Sequence, residues 1–259
     1  MLVLRPGALG DTLLAVPALR ALRRANLGRP ITLAAHAAAA RLLADLDEVD
    51  SGIAFDDPRI TAVFAGTSDE QVLVAWTSTA VAGVSILSPA RPPERVHCAR
   101  YLLETLSPLG IDLAFDDRPL QVPPVVSDEV LLHPGSGSPA KNWPAQSFAD
   151  VARLLGRPVR MIVGEADTTA ANAVQAAIGR ALPRLEQASL TDLAAHLAGC
   201  SGYIGNDSGV SHLAGLCGAR SVVLFGPTDP AIWSPLGPRV TTLAFAASPT
   251  EVATALERN

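Results

Sequence analysis

A short apolar run, Gly202-Tyr203-Ile204, passes straight into Gly205-Asn206-Asp207-Ser208-Gly209-Val210-Ser211-His212-Leu213-Ala214. A strand, a tight turn and a helix start follow one another without a spacer, which commits this part of the chain to a βα unit. Such a helix start gathers unpaired backbone N–H groups at a positive dipole end, a setting suited to a phosphate. Asp207 is a poor phosphate neighbour and suits neutral hydroxyls better. The segment therefore offers anion binding by Ser208, Gly209 and the amides next to polyol binding by Asp207, the two parts of a nucleotide sugar. Taken alone, the same residues also read as an ordinary cap in which Asp207 or Ser208 closes the helix and the glycines serve the turn.

The same alternation extends over most of the chain. Leu2-Val3-Leu4 reads as a buried strand, Pro6 to Gly10 as a loop, and Thr12 to Arg24 as a helix broken by Pro17. A strand at Ile31 to Ala34, a helix at Ala37 to Leu46 and a strand at Gly52 to Phe55 continue the pattern, and βαβαβ order implies a parallel sheet. Between Arg59 and Pro93 the signal weakens to two candidate strands, Val72 to Trp76 and Val84 to Leu87, followed by a helix from Glu94 to Leu106. The proline-rich segment 116–124 reads as a linker. After it come strands at 129–133, 159–163, 203–205, 221–225 and 239–244, with helices at 147–155, 168–181, 190–198, 209–217 and 249–257. Ser189 with Asp192, and Ser248-Pro249 with Glu251, mark two of these helix starts. With 259 residues and 49% hydrophobic side chains, the chain is expected to form an α/β protein of two modest domains, residues 1–125 and 126–259.

Three motifs in the second half fall at the carboxyl ends of expected parallel strands, where open α/β sheets place their ligands. Besides the 205–214 segment they are His133-Pro134-Gly135-Ser136-Gly137-Ser138-Pro139-Ala140-Lys141-Asn142-Trp143-Pro144 and Phe225-Gly226-Pro227-Thr228-Asp229-Pro230. Ser136 and Ser138 can donate hydroxyl hydrogen bonds, Gly137 admits close backbone approach, and Lys141 brings a point charge for a pyrophosphate. Individually each also fits a solvated Gly/Ser/Pro connection. His212, one turn into its helix on the side of Ser208, is placed for a phosphate, a sugar oxygen or a structural hydrogen bond. Asp229 between two prolines reads as a turn carboxylate. Glu165 and Asp167, just after a strand end, are the candidate ribose contacts.

In the first half, Gly7-Ala8-Leu9-Gly10-Asp11-Thr12 lacks the glycine spacing of a dinucleotide fingerprint, and Ala34-Ala35-His36 stands where that fingerprint wants an acid. Asp11 at a helix start reads as a cap, or, facing a donor nucleotide across an interdomain cleft, as a general base for an acceptor hydroxyl. Asp45-Leu46-Asp47 has a DxD form but sits at a helix end among other acids, as a solvated face. The histidines share no metal-ligand spacing. Cys98, Cys200 and Cys217 form neither a disulfide framework nor a zinc pattern.

Taken together these blocks resemble glycosyltransferase family 9, the heptosyltransferases of lipopolysaccharide assembly. The resemblance is carried by Gly7-Ala8-Leu9-Gly10-Asp11 with Pro17, His133-Pro134-Gly135-Ser136 with Lys141 and Trp143-Pro144, Gly205-Asn206-Asp207-Ser208-Gly209 with His212, and Gly226-Pro227-Thr228-Asp229-Pro230; His97 and Tyr101 also fit it. It implies a GT-B fold, two Rossmann-like parallel-sheet domains facing across a cleft, with acceptor bound by the first and donor by the second. The implied reaction is an inverting, metal-independent transfer of a sugar from a nucleotide sugar such as ADP-heptose to a lipopolysaccharide-type or other glycan acceptor, with no cofactor. Position by position, Asp11 matches the base, Lys141 the phosphate-binding lysine and Asp207 the residue that holds the donor sugar. Ser136, Ser208, Gly209 and His212 match phosphate-loop positions. The stretch 59–93 is short for the family; Arg91, Arg95 and Arg100 suit an anionic, glycan or lipid-linked acceptor, or are simply solvated or salt-bridged.

A nucleotide-sugar-binding protein without turnover is the non-enzyme alternative. A net charge of −5 without a Lys/Arg block argues against a nucleic-acid partner. No apolar run reaches the ~18 residues of a spanning helix, and Leu2 already begins the first strand, so secretion is not expected. The expected location is cytoplasmic, with peripheral contact to the inner membrane face compatible with a lipid-linked acceptor.

Overall fold

A computed structural model of the chain describes residues 1–25 and 27–258. It divides into two compact units, Met1–Asp117 and Arg118–Asn259.

The first unit runs β1 (Leu2–Leu4), α1 (Leu9–Leu13), α2 (Val16–Ala25), β2 (Thr32–Ala35), α3 (Ala37–Asp45), β3 (Ser51–Ala54), α4 (Pro58–Phe64), β4 (Val72–Trp76), β5 (Ile86–Ser88) and α5 (Cys98–Glu104). Its strands form one parallel sheet in the order β3-β2-β1-β4-β5. All three β1 residues and all five of β4 are buried, as strands covered on both faces must be. The helix expected over 12–24 is instead two, because Leu14 closes α1 and Pro17 falls in the first turn of α2, where its missing N–H costs nothing. The 59–93 stretch holds a helix that periodicity did not reveal. Asp57 caps α4 by accepting from the Arg59 N–H at 2.9 Å, and Pro58 stands at its start. The helix expected from Glu94 begins only at Cys98.

The second unit runs β6 (Val130–His133), a 3-10 turn (Pro139–Lys141), α6 (Ala145–Leu154), β7 (Val159–Val163), α7 (Thr168–Ile178), β8 (Arg184–Glu186), α8 (Leu190–Gly199), β9 (Gly202–Asn206), α9 (Gly209–Leu216), β10 (Ser221–Phe225), α10 (Pro230–Trp233), β11 (Val240–Ala244) and α11 (Pro249–Arg258). Its sheet is parallel in the order β11-β10-β9-β6-β7-β8. The core packs Phe148 edge-on against Trp143, ring centroids 5.3 Å apart, with Leu132, Met161, Ile204 and Leu224 around them. The 116–124 segment read as linker belongs with this unit from Arg118 on, as does Val125: Leu120 is buried and donates its N–H to Leu216 O, and the Val125 N–H goes to Ala195 O. Ser189 accepts the Asp192 N–H, and Ser248 exchanges hydrogen bonds with Glu251, as their spacing predicts. Among the described residues no helix is long and apolar enough to cross a membrane.

In each sheet, the strand order reverses once. In the first unit the reversal lies between β1 and β4; in the second it lies between β6 and β9. Loops leaving two such neighbouring strands diverge to opposite faces and leave a crevice at the carboxyl edge. The Gly7–Asp11 segment follows β1, while the 134–144 loop and Asp207-Ser208 follow β6 and β9.

Candidate active site

Asn206, the last residue of β9, fastens the two loops of the second crevice to each other. Its fully buried amide donates to Pro134 O at 2.8 Å and accepts the Trp143 N–H at 2.9 Å. Trp143 in turn donates its indole N–H to Phe245 O at 3.0 Å, anchoring the far end of the 134–144 loop on the core. An amide serves both loops at once because it is donor and acceptor in one plane.

Held this way, Lys141 reaches Asp207, Nζ to Oδ2 at 2.7 Å, and the Thr228 hydroxyl donates to the same oxygen at 2.7 Å. Asp207 is 8% exposed and Lys141 31%. The lysine is therefore not a solvated side chain on a flexible loop; it is tethered at the mouth of α9 by a buried carboxylate. Ser208 caps α9, its hydroxyl oxygen accepting the Ser211 N–H, as the cap reading expects. Gly209 opens the helix. His212, 5% exposed, lies one turn further along it and donates its backbone N–H to Ser208 O.

The Ser136 hydroxyl is spent within its own loop, donating toward Ser138 O (2.6 Å) and Asn142 Oδ1 (2.7 Å) and accepting the Ser138 N–H. Ser136, Gly137 and Ser138 line a concavity of about 540 Å3 whose walls carry no charged side chain. Glu165 stands exposed in the turn after β7. Asp167 turns inward instead: its Oδ2 lies 3.0 Å from His133 Nε2 and accepts the Gly164 N–H at 2.9 Å. Burial pushes the Asp167 carboxyl up, but the hydrogen bonds from His133 and from the Gly164 N–H outweigh it, leaving it below the usual carboxylate value. Of the two acids paired as ribose contacts, Asp167 is thus committed to the protein interior.

Gly135 sits against this carboxylate, and a Cβ there would run into it, whereas Gly137 faces open space. Gly135→Ala is expected to cost about 1–3 kcal/mol by overpacking and to lower the melting temperature, with Gly137→Ala close to neutral. Equal melting temperatures for the two variants would show that the Asp167 pocket yields.

In the first crevice, Asp11 lies in the opening turn of α1 with a side chain 30% exposed, its Oδ2 accepting the Ala8 N–H at 2.9 Å. Behind it stands Arg5, the first residue beyond β1 and fully buried. Arg5 donates from Nε to Asp11 O and from Nη1 to Ala90 O, both at 3.0 Å, with Nη2 at 3.5 Å from Asp11 Oδ1. Burial pulls the Arg5 guanidinium below its usual value, while Cys98 and Asp11 oppose that shift; burial also pushes the Cys98 thiol up to about 11. Gly7, at φ +128°, packs its α-carbon on the Asp11 carboxylate, where a Cβ would collide. Of the three arginines singled out for an acceptor, Arg91 and Arg95 are exposed, and Arg100 stacks its guanidinium 4.9 Å over the Phe115 ring. Asp45 and Asp47 are exposed at the end of α3, and Asp229 caps α10 through the Ala231 N–H. Among the described residues no three His, Cys, Asp or Glu side chains cluster as metal ligands.

Arg5, Thr228 and the His133–Asp167 pair were not singled out for a role from sequence. A lone charge ending an apolar strand was a usable signal for Arg5. A hydroxyl beside the more conspicuous Asp229 was not, and nothing local relates positions 133, 167 and 208.

Two parallel α/β units, each with polar side chains gathered where its strand order reverses, define the class: a two-unit α/β protein of the GT-B architecture. Residues 101–258 match the family model of glycosyltransferase family 9 (heptosyltransferase). The chain belongs to that family. Curated relatives include lipooligosaccharide heptosyltransferase 2 of Haemophilus influenzae, 27% identical over 111 residues, which are 40% of this chain and 32% of the relative. Lipopolysaccharide heptosyltransferase 2 of Escherichia coli is 31% identical over 110 residues, 38% of this chain and 30% of the relative. The aligned segments thus span about a third of those relatives' length. Among solved structures, the E. coli ADP-heptose lipopolysaccharide heptosyltransferase II superposes with TM-score 0.77 at 20% identity, covering 99% of this chain and 97% of that one. The family 9 glycosyltransferase of Veillonella parvula gives 0.80 at 18%, covering 99% and 95%. An E. coli heptosyltransferase solved with ADP gives 0.73 at 17%, covering 99% and 97%.

Proposed function

We propose that this protein is an inverting glycosyltransferase that moves a heptose from ADP-heptose or a related nucleotide sugar to a lipopolysaccharide-type glycan acceptor. The observation that carries the reading is the Lys141–Asp207–Thr228 cluster at the mouth of α9, which sets a cation and a polyol acceptor side by side at the positive end of a helix. In this reading Lys141, Ser208 and Gly209 take the diphosphate, with His212 contributing from the same side of α9. Asp207 Oδ1 takes the sugar hydroxyls, Ser136, Gly137 and Ser138 form the wall of the donor site, and Glu165 meets the ribose. Residues 118–259 hold the donor and residues 1–117 the acceptor, with Arg91, Arg95 and Arg100 supplying positive charge for an anionic acceptor. Two curated heptosyltransferases and a relative solved with ADP support the choice of donor.

The chemistry follows from charge. As the glycosidic bond to the diphosphate breaks, negative charge grows on the leaving phosphate, and a lysine together with preorganised N–H donors stabilises it there. Asp11 accepts the proton of the attacking hydroxyl as its oxygen bonds to the sugar carbon and the diphosphate departs, and inversion follows when that oxygen arrives from the face opposite the leaving group. No step in this scheme requires a metal ion. Transfer measured after exhaustive EDTA treatment is therefore expected to equal the untreated rate; activity lost to EDTA and restored by magnesium would return Asp45 and Asp47 to consideration. The donor assignment is tested by thermal shift against a panel of nucleoside diphosphates and their sugars. ADP and ADP-heptose are expected to give the largest stabilisation, and a flat panel would overturn the assignment.

A further inference from the structure

His133 ends β6, 2% exposed, and both ring nitrogens are engaged: Nε2 lies 3.0 Å from Asp167 Oδ2, and Nδ1 lies 3.2 Å from Ser208 Oγ. The pair is built into the fold. Gly135 and Gly164 lack the Cβ atoms that would displace Asp167, and the Gly164 N–H holds the same carboxylate oxygen. The other groups around the relay are Ser211 of α9, whose N–H goes to Ser208 Oγ, and Tyr203 of β9, whose hydroxyl meets Ser211 Oγ at 2.8 Å and which burial keeps un-ionised. Asp207, next in chain to Ser208, is already bound by Lys141 and Thr228.

In the neutral imidazole, an ionised Asp167 places the one ring proton on Nε2 and leaves Nδ1 an acceptor. Among the described residues, the partner at that lone pair is the Ser208 hydroxyl, whose proton it then accepts. Ser208 then presents lone pairs, not a donor, to anything arriving at the start of α9, which is the wrong polarity for a phosphate oxygen. The conflict resolves if Nδ1 takes a proton from solvent: Nδ1–H donates to Ser208 Oγ, and the Ser208 O–H swings to the phosphate. The Asp167 carboxylate on one side and the diphosphate beyond Ser208 on the other compensate the imidazolium. One proton enters from water, and no covalent bond to the ligand forms or breaks.

The geometry points to His133 as a positioning residue that takes up a proton when a nucleoside diphosphate binds and thereby turns the Ser208 hydroxyl toward the phosphate. The inference rests on the donor-site reading given above, and its failure is separable from the failure of that reading.

The test uses the full chain with ADP as probe, at about pH 7 to 8, where free imidazole is mostly neutral. In 15N-histidine-labelled protein, the His133 ring is expected to show one protonated and one bare nitrogen when free, and two protonated nitrogens with ADP bound. Calorimetry in buffers of different ionisation enthalpy is expected to show uptake of roughly one more proton per ADP by the wild type than by His133→Asn. Asp167→Asn, which keeps the shape but removes the compensating charge, is expected to reduce that uptake. ADP binding with an unchanged ring, or equal proton uptake in wild type and His133→Asn, overturns the relay alone. No ADP binding by the wild type overturns the donor site and the relay together.

Discussion

Asp11→Asn is expected to lower sugar transfer by roughly 10²-fold or more while leaving ADP affinity unchanged. The substitution keeps an oxygen for the Ala8 N–H, which Asp11 now holds at 2.9 Å, so the opening turn of α1 survives. It does remove a charge near Arg5, which is fully buried and 3.5 Å from Asp11 Oδ1. Arg5 keeps its carbonyl partners, Asp11 O and Ala90 O, so the stability loss should stay near about 1 kcal/mol. Transfer and melting temperature measured on one preparation separate the roles. A stable asparagine variant that transfers at the wild-type rate would remove Asp11 from the mechanism and leave it a cap.

Lys141→Ala is expected to weaken ADP binding by about 10- to 100-fold, the worth of one charge-assisted hydrogen bond to a phosphate. The structure adds a second consequence that the sequence did not suggest. Asp207, 8% exposed, loses its cation and keeps the Thr228 hydroxyl, so the variant should also lose about 1–2 kcal/mol of stability, the lower end applying because Lys141 is itself partly solvated. Adding Asp207→Asn removes the orphaned charge and should recover stability without recovering ADP affinity. Wild-type ADP affinity in Lys141→Ala would exclude this lysine from the donor site, whatever its effect on folding.

What was legible from sequence follows the strength of local signals. Buried parallel strands such as β4, β7 and β10 announce themselves as apolar runs, because both faces of the sheet are covered. Arg184-Leu185-Glu186 carries no such mark; it is an edge strand whose membership of the sheet comes from pairing with Met161–Val163. α4 is two turns long, too short for periodicity to register, although its Asp57-Pro58 start was visible as punctuation. The candidate site divides in the same way. Lys141, Asp207, Ser208 and Asp11 stand in short connections or helix starts whose Gly, Ser and Pro content marks strand ends, so their types and positions could be read directly.

The sequence by itself determined the α/β alternation, the strand-end positions of the polar loops and the family, because each depends on residues close together in the chain. Which polar groups meet was decided only by the tertiary structure. β6 and β9 become neighbours although β7 and β8 lie between them in sequence, and that crossover alone brings His133 to Ser208 and Lys141 to Asp207. The same packing chose between two adjacent acids. Glu165 was left in solvent, while Asp167 was drawn inward because Gly135 and Gly164 leave room for a carboxylate and His133 supplies its partner. A buried charge persists only where hydrogen bonds offset its lost hydration, and the two side chains that His133 joins, Asp167 and Ser208, lie 34 and 75 positions from it along the chain, beyond the reach of any local pattern.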